Sequence, residues 1–257
     1  MKLLKDLYQY RELLKTNVKK EIRGKYKGSI LGVLWSFFNP LLMVVVYAIV
    51  FPYIMKVQTS NYLVFLIIGI IPWNFFVTVM NQGMITIRMN AGIIKKVYFP
   101  REILPISVAL SGLVNFFISS CIILIFCLFG GVGFSWHLIF FPLIAICQFF
   151  FTLGLILVLS AVNIYIKDTE YIIQFFVNLL FYATPILYTA DLLPGIFQWI
   201  IKLNPLAQMI TAYRDIFMYH IMPGTWGTLY IILISAFSFV IGLIVFRKLE
   251  RGFAEEV

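Results

Sequence analysis

The sequence predicts an all-α integral membrane protein with six membrane-spanning helices and both termini in the cytoplasm. Composition, the spacing of charges and the placement of Lys and Arg carry this reading. Hydrophobic residues fill 62% of the 257 positions and charged residues 12%. An ordinary soluble domain is about half apolar and about a quarter charged. Apolar surface on this scale cannot be hidden in water. No shift in composition marks a second unit, so residues 1–257 read as a single membrane domain.

The first 27 residues predict an amphipathic interface helix. Leu3, Leu7, Tyr10, Leu14, Val18 and Ile22 recur at steps of three and four, and Lys15, Lys19, Lys20, Arg23, Lys25 and Lys27 supply a cationic remainder. Such a helix lies along the inner leaflet, either as a plain anchor or as a collar facing anionic headgroups.

Charge-free stretches place the spans, because a helix needs roughly 20 mostly apolar residues to cross about 30 Å of hydrocarbon. No Asp, Glu, Lys or Arg occurs from Gly28 to Met55, Val57 to Ile87, Ile103 to Ile166, Tyr171 to Ala190, or Ile216 to Phe246. The third stretch has 64 residues and must hold two crossings, with Gly130 to Ser135 as the turn. The spans therefore fall near 31–54, 62–84, 103–128, 138–165, 171–188 and 226–247.

Residues 189–223 test that topology. Gly195 to Ile221 are apolar enough to hint at a seventh crossing, but Asn204, Gln208, Arg214 and Asp215 would lie in or near it, at about 2.5–3.5 kcal/mol for each charge at the centre. Pro185 just ahead of the region, and Pro194, Pro205 and Pro223 within it, punctuate it into short pieces. The reading is a re-entrant hairpin of short helices forming an external gate region, with an ordinary external loop as the alternative.

Seventeen of the twenty Lys and Arg residues fall in the N-terminal segment, the 88–101 loop, the loop at Lys167 and the tail after the last span. Lys56, Lys202 and Arg214 take the other side. The excess marks the cytoplasmic face. The formal charge of +9 then belongs to membrane orientation, and no nucleic-acid partner is expected. The basic N-terminus carries no signal peptide, so the first span acts as the insertion signal.

Ion-driven carriers commonly hold ionisable groups within the bilayer, yet spans three and four offer only His137, tyrosines and thiols. No GxxxxGK[ST] phosphate loop occurs, so ATP is not split here in the P-loop manner. Cys121, Cys127 and Cys147 lack ligand spacing and read as small packing residues. His137 and His220 stand apart at membrane edges. No catalytic constellation, metal site or cofactor site emerges.

The residues Leu31-Gly32 with Trp35, Asn39-Pro40, Tyr47, Gly69, Pro72-Trp73, Lys95 to Pro100, Tyr165, Lys167-Asp168, Pro185-Ile186, Tyr188, Asn204-Pro205 and Tyr213-Arg214 together resemble the permease subunits of polysaccharide-exporting ABC transporters. These are the type-2 exporters of O-antigen, capsule and teichoic acid. The resemblance runs over nearly the whole chain. It departs at Lys167, where the family often has Arg, and so loses a planar fork while keeping the charge.

This resemblance implies a homodimer in the bacterial cytoplasmic membrane, with two ATP-binding subunits beneath it that hold the ATP and Mg. The implied substrate is a glycan linked to a polyprenyl pyrophosphate. The 88–101 segment matches the family's coupling helix, with Arg88, Ile93, Ile94, Lys95, Lys96, Tyr98, Phe99 and Arg101, joined by Lys167 and Asp168, as ATPase-coupling residues. A purely topogenic basic loop is the alternative for that segment. Arg23, Lys25 and Lys27 would meet the pyrophosphate at an inner-face portal, although positive-inside anchoring explains them too. Aromatic residues make up 18% of the chain, and sugar rings pack their C–H faces on such side chains. Trp35, Phe38, Tyr47, Phe51, Phe181, Tyr182 and Tyr188 are the channel-lining candidates.

Two other classes stay open. A related exporter of a drug or simple lipid would respond to small amphiphiles. A membrane enzyme acting on lipid-linked sugars would need a carboxylate cluster, which Asp168, Glu170 and Asp191 do not make.

Overall fold

A computed structural model describes residues 2–26, 28–55, 61–190 and 194–256. Lys27 of the expected portal and Asp191 to Leu193 of the external region lie outside the described residues. Helices make up most of the described chain, and no strand occurs among its residues.

The N-terminal segment is two helices, α1 (Lys2–Gln9) and α2 (Arg11–Tyr26), broken at Tyr10 where one continuous helix was expected. Leu7, Tyr10, Leu13 and Leu14 turn towards the core while Lys15, Lys19 and Lys20 stay exposed, and α2 packs against the third long helix. The amphipathic stripe thus meets protein on its apolar side.

Then follow α3 (Trp35–Met55), α4 (Tyr62–Met89), the single-turn α5 (Ala91–Ile94), α6 (Ile103–Phe129), α7 (Phe141–Tyr165) and α8 (Thr169–Tyr182). After these come α9 (Gly195–Leu203), α10 (Pro205–Arg214), a π turn at Asp215–Tyr219, α11 (Thr225–Leu249) and the short α12 (Phe253–Glu256). Among the described residues four helical stretches have the length and apolarity of a crossing: Tyr62–Met89, Ile103–Phe129, Trp136–Tyr165 and Thr225–Gly252. In α3 the described apolar stretch runs from Phe37 to Phe51. The turn between α6 and α7 uses Gly131 and Gly133, both at positive φ, a conformation that glycine adopts without a Cβ clash.

The expected fifth span, 171–188, is helical only to Tyr182. Pro185 accounts for the early end: it has no N–H, its ring would clash one turn back, and it disfavours helical geometry at Thr184. The chain continues as a buried turn through Leu187.

The centre of the bundle is α4 and α7, which bury 78% and 67% of their apolar windows, against 33% for α6 and 22% for α11. Residues 64–73 of α4 are buried without interruption, as suits a helix that is apolar all round. The closest helix crossing is between α7 and α11. A Cβ on Gly242 would fall 2.8 Å from Cα of Gly154, and one on Gly154 would strike the backbone of Ser238. Small residues let the backbones approach, and the Ser238 hydroxyl then donates to the carbonyl of Phe151 at 2.9 Å.

α10 packs against α4, α7 and α11. Pro205 occupies its first turn, where a missing N–H costs nothing, and Asn204 caps it by accepting from the backbone N–H of Leu206 at 3.0 Å.

Candidate functional site

Three polar or aromatic assemblies lie along the bundle. The first is a groove of about 830 Å³ between α3, α4 and α6. Trp35, Asn39, Met43 and Tyr47 line it from one face of α3, at steps of four; Asn74, Phe75 and Thr78 come from α4; Asn115, Phe116 and Ser119 come from α6. Asn74 and Asn115 each stand twelve residues into their helices, about 18 Å at 1.5 Å per residue, hence at mid-depth. Among the described residues no charged side chain lines the groove. It offers amide and hydroxyl groups against ring faces and aliphatic walls.

Beside it the aromatic candidates sort themselves. Tyr47 meets Phe51 edge-on with ring centroids 5.6 Å apart, and lies 6.1 Å from Phe181. Phe181 in turn contacts Tyr182 at 5.4 Å, and the Tyr188 hydroxyl donates to the Tyr182 carbonyl at 2.7 Å. Five of the seven channel-lining candidates thus form one connected set across α3 and the end of α8. Trp35 and Phe38 sit at the start of α3, both partly exposed and separate from that set. Trp73, not among the candidates, is buried with its ring 5.5 Å from Phe181. Its Pro-Trp pair was visible in the sequence, but its aim was not.

The second assembly surrounds the turn at 183–188. Arg214 donates from Nη1 to the Pro185 carbonyl at 2.6 Å and from Nη2 to the Ile186 carbonyl at 2.8 Å. Its guanidinium lies over the Phe65 ring, 3.4 Å from the centroid. The Tyr62 hydroxyl donates to the Leu187 carbonyl at 2.9 Å, and Asn204 Nδ2 donates to Thr184 Oγ1 at 2.9 Å. Tyr213 donates to Gln148 Oε1 and Gln148 Nε2 to the Pro72 carbonyl, both at 2.9 Å. Buried polar groups need such partners, and here side chains supply what no backbone ladder does. The motif residues Pro72, Pro185-Ile186, Tyr188, Asn204 and Tyr213-Arg214 converge on this one region, with Gly69 leaving space beside the guanidinium.

The third assembly is the basic end. Of the expected coupling segment 88–101, residues to Met89 extend α4, Ala91–Ile94 form α5, and Lys95 onward runs as turn and irregular chain. The apolar plug divides. Ile94 and Phe99 are buried in the chain's own core, while Ile93, Val97 and Tyr98 project outward, Tyr98 being 92% exposed. Lys95, Lys96, Lys167 and Asp168 are exposed. Arg101 donates to the Glu250 carbonyl and lies over Phe253. Arg88 turns sideways to Glu170, with Nη2 and Oε2 2.5 Å apart. Glu102, nearly buried, accepts from Arg247 Nε at 3.1 Å. In the expected portal, Arg23 is exposed on α2, and the Lys25 side chain is outside the described set.

Uncharged amides are what sequence reading passed over. Asn74, Asn115 and Gln148 fall in stretches defined by lacking charge, so a search for ionisable groups did not register them. Among the described residues no three His, Cys, Asp or Glu side chains group as metal ligands do.

Comparison with known proteins adds a family. The pattern of the ABC-2 type transporter family matches residues 12–218. The O-antigen export system permease protein RfbA of Klebsiella pneumoniae is 38% identical to this chain, covering 95% of it and 94% of the relative. A protein of the same name from Myxococcus xanthus is 32% identical with both chains covered in full. A family pattern spanning most of the chain and relatives matched nearly end to end agree with the apolar helical bundle: the chain is a member of the ABC-2 type transporter family.

Proposed function

We propose that this chain is the channel-forming permease subunit of an ABC transporter that exports a polyprenyl-pyrophosphate-linked polysaccharide across the bacterial cytoplasmic membrane. The observation that carries the reading is the groove between α3, α4 and α6. It presents Asn74 and Asn115, midway along α4 and α6, with Thr78 and Ser119, beside Trp35, Tyr47, Phe75 and Phe116, and no charge among the described residues. Amides and hydroxyls exchange hydrogen bonds with sugar hydroxyls, and aromatic rings pack on sugar faces. A neutral lining of this kind lets a long polyol pass without a fixed sequence code, whereas ion-coupled carriers commonly hold ionisable groups at that depth. The names of the relatives, O-antigen export permeases, support the same substrate class.

In this reading six crossings, including α3 and α8, leave both termini in the cytoplasm, and the basic end faces the ATP-binding subunits. Ile93, Val97 and Tyr98 dock there as an apolar protrusion flanked by Lys95 and Lys96. Arg23, Lys25 and Lys27 meet the pyrophosphate of the lipid carrier. The helices α9 and α10 form the external gate, and a second copy of the chain covers the exposed apolar residues of α3 and α8. Hydrolysis of ATP, with its Mg, belongs to the partner subunit. Reconstitution with that ATPase tests the reading: ATP hydrolysis should be stimulated by lipid-linked glycan, and glycan should accumulate across the bilayer. Stimulation by small amphiphiles alone would favour a drug or lipid exporter, and a chain that associates with no ATPase would overturn the proposal.

A further inference from the structure

We infer that the Arg88–Glu170 ion pair is a strut that passes movement of the 88–101 segment into α8, making both residues positioning residues for transport. The inference rests on the proposed role of that segment as the face of an ATP-binding subunit. It departs from the expectation that Arg88 itself meets that subunit.

Geometry carries the assignment. Arg88 belongs to the last turn of α4, directly ahead of α5, and Glu170 to the first turn of α8. Their 2.5 Å contact joins the two, and both side chains are partly shielded, at 38% and 22% exposure. Along its length α8 is held by one narrow stripe: Thr169 and Val177 are buried and Ile173 and Leu180 half-buried against the core, while Tyr171, Phe175, Phe176 and Tyr182 are open within this chain. Its far end is fixed again, through the turn whose carbonyls receive Arg214 and Tyr62 and whose Thr184 receives Asn204. A helix tied at both ends and packed along a single narrow stripe between them moves as a rod, about 21 Å long at 1.5 Å per residue. One end is the strut. The other carries Phe181 and Tyr182 of the aromatic set.

The pair suits a mechanical role better than a stabilising one. Partly exposed ion pairs contribute little to folding, yet a bidentate-capable Arg on a carboxylate fixes direction as well as distance. A shift of Ile93, Val97 and Tyr98 reaches α8 through this contact without crossing the buried α4–α7 interface, which is close-packed and resists deformation.

The test uses the full permease–ATPase complex in proteoliposomes, with ATP hydrolysis, export of lipid-linked glycan and co-purification of the two subunits measured together. Arg88→Glu and Glu170→Arg should each leave co-purification and hydrolysis near native levels while lowering export by about tenfold. The charge-swapped double variant should recover most of the loss, a recovery that general damage to the fold would not produce. Arg88→Gln and Glu170→Gln, milder changes, should show the same split should a reversal prevent folding. Single variants that export like the native complex, or a swap that assembles and stays as defective as its parents, would overturn the strut. Loss of co-purification in Arg88→Glu would make Arg88 a docking residue, overturning the strut while leaving the permease reading intact. A native complex without export would overturn both.

Discussion

The hydroxyl of Tyr213 donates to Oε1 of Gln148 at 2.9 Å, and through Gln148 the helix α10 is bonded to the backbone of α4 at Pro72. Both side chains are almost wholly buried. Interhelical bonds of this type contribute about 0.6 kcal/mol on average and up to about 2 kcal/mol in membrane proteins. Tyr213→Phe and Gln148→Leu should each lower stability by about 0.5–2 kcal/mol in reversible detergent unfolding. The double variant should cost less than the two singles combined. Strict additivity would mean that the bond contributes nothing.

The α7–α11 crossing makes a steric prediction. Gly154→Leu and Gly242→Leu should prevent a monodisperse folded species, since the backbones would have to separate by more than the usual cost of overpacking, about 1–3 kcal/mol. Gly24, in the interior of α2 with open space around it, should respond oppositely. Gly24→Ala should stabilise α2 by about 0.5–1 kcal/mol. Size-exclusion profiles and melting temperatures of the three variants check both statements.

Tyr182 and Trp73 separate transport from stability. Tyr182 is 70% exposed and Trp73 is buried, although both border Phe181. Tyr182→Ala should cut glycan export and leave the melting temperature within a few degrees. Trp73→Ala should cost about 3–5 kcal/mol as a large core truncation. Paired export and thermal-shift measurements resolve the two, and an export-competent Tyr182→Ala would remove that ring from the proposed path.

The same logic applies at the basic end. Val97→Asp and Tyr98→Ala should weaken co-purification with the ATP-binding subunit without affecting the fold, because both side chains face outward. Phe99→Ala should instead destabilise the permease itself by about 3 kcal/mol or more. Unchanged association in the first two variants would assign docking elsewhere.

Much of the helix layout is legible in the sequence, since charge is costly in hydrocarbon and its absence delimits the long helices. α4, α6, α7 and α11 begin and end within about five residues of the spans placed in those stretches, and Pro205 with Asn204 announces the start of α10. The early end of α8 is written in Pro185, but a hydropathy reading overrides it, because the turn that follows is as apolar as a helix. The site was harder to see. Aromatic abundance does not tell which rings share a face, and the cluster from Tyr47 through Phe181 depends on the way α3 leans on α4. The split of Ile93, Val97 and Tyr98 from Ile94 and Phe99 depends on where a one-turn helix stops. No periodicity marks that point.

The turn at 183–188 constrains the order in which the protein can be assembled. Its carbonyls at Pro185 and Ile186 are satisfied by Arg214 and its Thr184 by Asn204, residues the ribosome delivers later. Until α10 has been synthesised and has folded back, the C-terminal end of α8 holds unpaired peptide groups that hydrocarbon does not tolerate. During biogenesis α8 therefore waits in a provisional position, in contact with water, headgroups or the insertion machinery. It reaches its final seat only when the chain behind it arrives. A ribosome stalled shortly before Arg214 emerges would leave every long helix up to α7 complete and the turn after α8 without its partners.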